Sequence, residues 1–321
     1  METNLIRGTR CLVAMAATLF SSASLVQADP VAELESFSVF EKPDLAQLAT
    51  GDAKAVRGVP MSNPRFISVQ TAWVSPGSPA QQMEALRRWN PTRHPELNII
   101  LHANGSDFSQ LQKAPDNGAV RALAAATSSK SSNLQISRDE AAKLPSGTTM
   151  AGSVASFWSS VLSARAGAGP FGQPPYDHTG EAVRAGEEIN GLLRQQPKIQ
   201  KQFSGLIGGK GEQYWELLEL ESKGVLALGA FYNRSAANGS VQTADVLYYA
   251  SGGFYAAVTL YQMWPVDVGG RPSTLVWRGD MTSSAQIGQA RGMERLGSES
   301  AMMKNVSRAV RLFRRDTGGN R

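Results

Sequence analysis

This chain of 321 residues has a single cysteine, Cys11, and only three histidines, His94, His102 and His178. Cys11 sits in an N-terminal leader pattern. Arg7 and Arg10 precede an apolar stretch from Cys11 to Phe20, Val26-Gln27-Ala28 offers small residues for cleavage, and Asp29-Pro30 begins a polar segment. That is the layout of a secretory signal peptide at residues 1–28. Its apolar core falls short of the ~20 residues a membrane span needs, and no later stretch approaches that length. Cleavage near Ala28 would remove Cys11 and send the mature chain to the periplasm or outside the cell. A mature chain without cysteine has no disulfide, no thiol nucleophile and no cysteine-ligated metal.

The histidines are equally limiting. None shows i, i+4 metal spacing or an H-E-x-x-H pattern, so no metal is expected. Nucleophile and phosphate motifs are missing too. Gly152-Ser153 fails as a G-x-S-x-G elbow because Ala155 stands where glycine is required. Gly208-Gly209-Lys210-Gly211 lacks Walker spacing and reads as a helix stop. No cofactor motif is present, and none is expected. The sequence pI of 9.4 reflects only a mild basic excess, since removing Arg7, Arg10 and Glu2 leaves a net charge of +4. Nucleic acid is therefore not an expected partner. The densest basic cluster, Arg308, Arg311, Arg314 and Arg315, ends the last helix, where it complements the helix dipole or touches an anionic membrane. Four Asn-x-Ser sequons, at Asn104, Asn233, Asn238 and Asn305, matter only in a eukaryotic secretory route.

What is present is a strand pattern. Runs rich in β-branched and aromatic residues, bounded by Gly, Pro, Asn or Ser, predict strands at 65–74, 97–102, 213–221, 225–233, 241–250, 254–264 and 273–280. Residues 29–41 read as a polar, flexible lead-in, with a short helix after Asp44, so that 29–64 precede the domain proper. Ser78-Pro79 starts a helix that Asn90-Pro91 stops. Helical periodicity interrupted by Gly, Pro and Ser fills about 109–208. One long helix closes the chain, with 317–321 as a flexible tail. The fold class is α+β: a curved antiparallel sheet of about seven strands packed on a long C-terminal helix, with an inserted helical region. Residues 65–316 form a single domain.

The central strands lack the alternation of a sheet wetted on one side. Phe254, Val258, Leu260 and Trp264 share one face, while Tyr255, Ala257, Tyr261 and Met263 share the other. Such a sheet needs two covers. The terminal helix supplies one through Leu296, Met303, Val306, Val310 and Phe313. The helical middle, or a second subunit, supplies the other.

Seven strands with a helix after the first and a long helix at the end resemble the helix-grip superfamily. That group includes the START lipid-transfer domains and the birch-pollen-allergen-like proteins. The resemblance is one of topology, covers residues 65–316 with the helical stretch as an insertion, and brings no short motif that assigns residue roles. It implies an apolar tunnel between sheet and C-terminal helix.

Three readings of function follow. The first is an exported soluble protein holding a lipid or other apolar small molecule between sheet and terminal helix. Tyr249, Tyr261, Trp264, Trp277 and Met303 would form its walls, with Asp245 and Arg278 as charged contacts. Asp245 and Arg278 interrupt apolar strands, and a buried charge requires a partner. A structural pair, or simple solvent exposure, is the plainer account of them. The second reading is an extracytoplasmic hydrolase drawing acid–base groups from Asp177, His178 or His94. The third is a structural envelope protein that associates through its doubly apolar sheet. A cavity of roughly 300 Å³ or more under the terminal helix would favour the first. A histidine bonded to a carboxylate inside a cleft would favour the second.

Overall fold

The computed structural model describes residues 29–318, so the leader pattern at 1–28 lies outside the described residues. In chain order the elements are α1 (Pro30–Phe37), α2 (Leu45–Thr50), β1 (Val56–Arg57), β2 (Phe66–Pro76), α3 (Pro79–Arg88) and β3 (Ile99–Asn104). The helical middle follows, with α4 (Gly118–Ser128), α5 (Arg138–Ala141), α6 (Ala155–Ala168), α7 (Ala185–Arg194) and α8 (Pro197–Gln202). The chain then returns to the sheet through β4 (Glu212–Leu220), β5 (Lys223–Ser235), β6 (Val241–Ala250), β7 (Ala256–Asp267) and β8 (Pro272–Ser283). It ends in α9 (Ala285–Gln289) and α10 (Met293–Asp316).

Among the described residues, eight strands form one open antiparallel sheet in the order β1-β2-β8-β7-β6-β5-β4-β3. Six consecutive strands make a meander, and β2 closes onto β8 along eleven paired residues. The α+β class, the inserted helices and the long C-terminal helix are thus as expected from the sequence. This strand order is compatible with a helix-grip topology.

Three local expectations change. The sheet has an eighth strand, β1, too short at two residues to carry a periodic signal. Residues 30–37 are helical: Asp29 caps Val31, Pro30 holds the first position, and Leu34 and Phe37 lie buried on one face. Phe37 packs edge-on against Phe203 and Trp277, and that burial holds a segment whose polar composition suggested a free lead-in. The terminal helix is also broken. Ala290 leaves helical geometry and Gly292 has φ of 49°, the left-handed region glycine tolerates best.

Both faces of the sheet are covered, as the absence of alternation required. One face carries Leu228, Val246, Val258, Leu260, Trp264 and Trp277 into the main core, beneath α1 and α4 through α8. The opposite face sends Val69, Trp73, Val276 and Met263 against Val306, Val310 and Phe313 of α10. A bulge in β6, where Leu247 and Tyr249 pair with the consecutive residues Gly229 and Leu228, lets Tyr248 and Tyr249 both enter the main core.

Candidate functional site

The α10 helix is too narrow to cover its whole face of the sheet. It packs along β2 and β1, α3 lies over β6, β7 and β8, and the segment joining α3 to β3 continues the cover toward β3. Pro91 and Pro95 shape that segment into two 3₁₀ turns, Pro91–Arg93 and Pro95–Leu97. It is tied down at the C-terminal end of α10. There the Trp89 indole N–H and His94 Nε2 both reach Asp316 Oδ2, at 2.9 and 2.7 Å. Burial would raise the Asp316 carboxyl, but these two hydrogen bonds hold it below the ordinary aspartate value. Arg308 Nη1 adds a bond to the Glu96 carbonyl at 3.2 Å.

Between this strap, α10 and the sheet lies a cleft of about 450 Å³. Leu86, Leu97, Ile99, Leu218, Leu247 and Val306 supply apolar walls. Its sheet side also carries a polar group of side chains. Tyr214, Glu216, Asp245, Thr259, Tyr261 and Arg278 all face it, joined by His102 of β3.

Strand register explains how these side chains meet. Asp280, Thr259 and Asp245 lie directly across from one another on β8, β7 and β6. Arg278 and Tyr261 form the adjacent row. Arg278 is fixed by the carboxylate two residues along its own strand, with Nε and Nη2 donating to Asp280 at 2.6–3.0 Å. Thr259 donates to the same carboxylate at 3.0 Å, and the guanidinium sits over the Tyr261 ring at 5.4 Å. Burial opposes the Arg278 charge, but Asp280, Tyr261 and Asp245 outweigh it, so its pKa lies above the ordinary arginine value.

Asp245 is reached from two strands away. Tyr214 on β4 pairs with Gly229 on β5, and a Cβ at 229 would overlap the Tyr214 ring. With glycine there, the ring lies across β5 and its hydroxyl donates to Asp245 Oδ1 at 2.6 Å. Burial raises the Asp245 carboxyl to about 6; the Tyr214 hydrogen bond opposes this, and nearby Glu216 adds to it. Glu216, 8% exposed, accepts from His102 Nδ1 at 2.9 Å, and the His102 ring packs against Tyr214 at 5.4 Å.

The structure thus brings Asp245, Arg278 and Tyr261 together in the cleft. Asp245 and Arg278 are not bonded to each other; each has a different partner. Tyr249, Trp264 and Trp277 lie on the far side of the sheet. Tyr249 packs 4.4 Å from the guanidinium of Arg165, a fully buried cation paired with Glu140. Trp264 and Trp277 pack against Phe37, and the Trp277 indole donates to Gln70 at 3.0 Å. Met303 is half-buried in the small core under α10.

The weighed acid–base residues lie elsewhere. Asp177 accepts from the Arg138 backbone N–H, His178 donates its backbone N–H to Ile136, and neither lines the cleft. His94 secures the strap. Of the basic cluster, Arg311 and Arg315 are exposed, whereas Arg314 turns inward and donates to the carbonyls of Gly51 and Ala49. Among the described residues there is no group of three or more His, Cys, Asp or Glu side chains placed to hold a metal, and no helix is long and apolar enough to cross a membrane.

Sequence reasoning missed Glu216, His102, Tyr214 and Asp280 as site residues. Glu216 carries the signal that singled out Asp245, a carboxylate between apolar neighbours in a strand (Trp215 and Leu217). His102 and Tyr214 carried no such signal, because their meeting depends on the pairing of β3, β4 and β5. No protein-family model, curated protein or solved structure matches this chain.

Proposed function

We propose that the protein is an exported binding protein that holds an amphipathic small molecule in the cleft between sheet and C-terminal helix, in the manner of a helix-grip protein. The supporting observation is the cleft of about 450 Å³, lying where the strap and α10 fail to fill the space over β4–β6. Its volume falls within the range of small-molecule sites, about 300–1,000 Å³, and suits a single chain or ring system better than a two-chain lipid. Apolar walls would supply affinity at about 25 cal/mol per Å² buried, and the polar group on the sheet side would orient the ligand's head.

Native mass spectrometry of the exported chain tests this. A one-to-one bound species is expected, and Ala309→Trp, which fills the cleft from α10, should abolish it. If no bound species forms, either from the host or after exposure to a panel of single-chain amphiphiles, the reading fails.

A second reading is an enzyme in which His102, held by Glu216, acts as a general base. The 2.9 Å His–carboxylate contact inside the cleft favours it. Turnover of a bound ligand that His102→Asn abolishes without loss of binding would move the assignment to this reading.

A further inference from the structure

We propose that the cleft selects ligands whose polar head is a protonated amine, seated against Asp245 and Glu216. This rests on the binding reading above and names the ligand class. The argument is a charge balance across every wall. Two cations line the cleft, and each already has carboxylate partners. Arg87 of α3 is bonded to Glu84 and Glu212, and Arg278 of β8 to Asp280. Two lining carboxylates are bonded to no arginine or lysine, although the Arg278 charge, already held by Asp280, acts on Asp245 without a direct bond. Asp245 of β6 is held by the Tyr214 hydroxyl, and Glu216 of β4 by the His102 ring. The remaining polar contributors, Asn98 of the strap, Asn104 of β3, Thr259 and Tyr261 of β7 and Asn305 of α10, carry no positive charge at neutral pH. The unbalanced charge in the cleft is negative.

Geometry agrees with the balance. The bond from Tyr214 occupies one oxygen of Asp245, and the bond from His102 occupies one oxygen of Glu216. Each carboxylate keeps a second oxygen for a donor, and an ammonium brings up to three N–H groups together with the missing charge. Leu97, Ile99, Leu218 and Leu247 would enclose the apolar body. An anionic head would have to displace Asp280 from Arg278, a bidentate contact made within one strand.

The test uses the mature chain with n-octylamine, n-octanol and octanoate, followed by titration calorimetry and by the fluorescence of Trp89, which lines the cleft. At pH 7.5 octylamine should bind at least tenfold more tightly than octanol, and octanoate most weakly. Asp245→Asn should lower amine affinity about tenfold, to the level of octanol, and Glu216→Gln should act in the same direction. Acidification to pH 5 should weaken amine binding about tenfold. The ligand keeps its proton while Asp245 loses its charge below about 6. Octanoate binding as tightly as octylamine would sink the proposal, as would an amine preference that survives both substitutions. The first comparison needs no variant, so a misfolded mutant does not rescue the idea. If all three ligands fail to bind, the binding reading itself falls; if only the amine fails, that reading stands without this extension.

Discussion

The two faces of the sheet dispose of buried charge in opposite ways. On the face under the helical middle, Arg165 is completely enclosed by Glu140, Gln173 and the rings of Tyr176 and Tyr249, with core packed all around it. On the face under α10, Arg278 has an equally close carboxylate in Asp280 and a ring, Tyr261, at 5.4 Å, yet it borders open volume. The pairing alone therefore says nothing about function, since a buried ion pair can serve structure only. What distinguishes the second case is unfilled space beside carboxylates bonded to no arginine or lysine.

This contrast can be broken by substitution. The largest effect should come from the dry face. Trp277→Ala removes a ring held between Phe37 and Phe203 and one of the two donors to Gln70 Oε1, and should cost about 3–5 kcal/mol in denaturant unfolding. The cleft counterpart, Leu247→Ala, removes a half-buried side chain beside space that is already open, and about 1 kcal/mol is expected. Equal losses would mean that the two faces are equally packed.

Gly229→Ala should come next. The added methyl meets the Tyr214 ring, and overpacking of this kind costs about 1–3 kcal/mol. Combining it with Tyr214→Ala should recover much of that loss, because the obstructing ring is gone. Simple additivity of the two effects would show that Gly229 is not kept small for Tyr214.

A smaller effect with a definite sign is expected at Asp245. Its folded pKa lies near 6, above the ordinary 3.8, so the native state binds more protons than the unfolded chain between those values. This group's contribution to stability accordingly falls as pH rises from about 4 to 6. Asp245→Asn keeps an acceptor for Tyr214 and should raise the melting temperature by a few degrees at pH 7.5, less at pH 4.5. A lower melting temperature at pH 7.5 would mean that the carboxylate charge is stabilising and paired. Least affected should be Ala309→Trp, which fills open volume: near-wild-type unfolding together with lost ligand binding is expected, and a large destabilisation would show that no such volume exists.

The seven long strands, the helix after β2 and the helical middle were legible because each carries its own period. The eighth strand was not: two residues hold no period, and β1 exists only because Val56 and Arg57 meet Gln70 and Val69. Of the site, Asp245 and Arg278 were legible as charges misplaced in apolar strands. The identity of their partners was not, because Tyr214 reaches Asp245 across a whole strand and Arg278 prefers the nearer Asp280.

The amino-acid order by itself determined that this sheet is apolar on both faces and must be covered twice, since alternation is a local property of each strand. It could not say which cover would be complete. Alternation assigns residues to two faces without telling how far a helix laid across one of them extends. Only the tertiary structure decided that α10 packs along β2 and β1, that the strap is tied by Trp89 and His94 to Asp316, and that the volume left between them falls over Asp245 and Glu216.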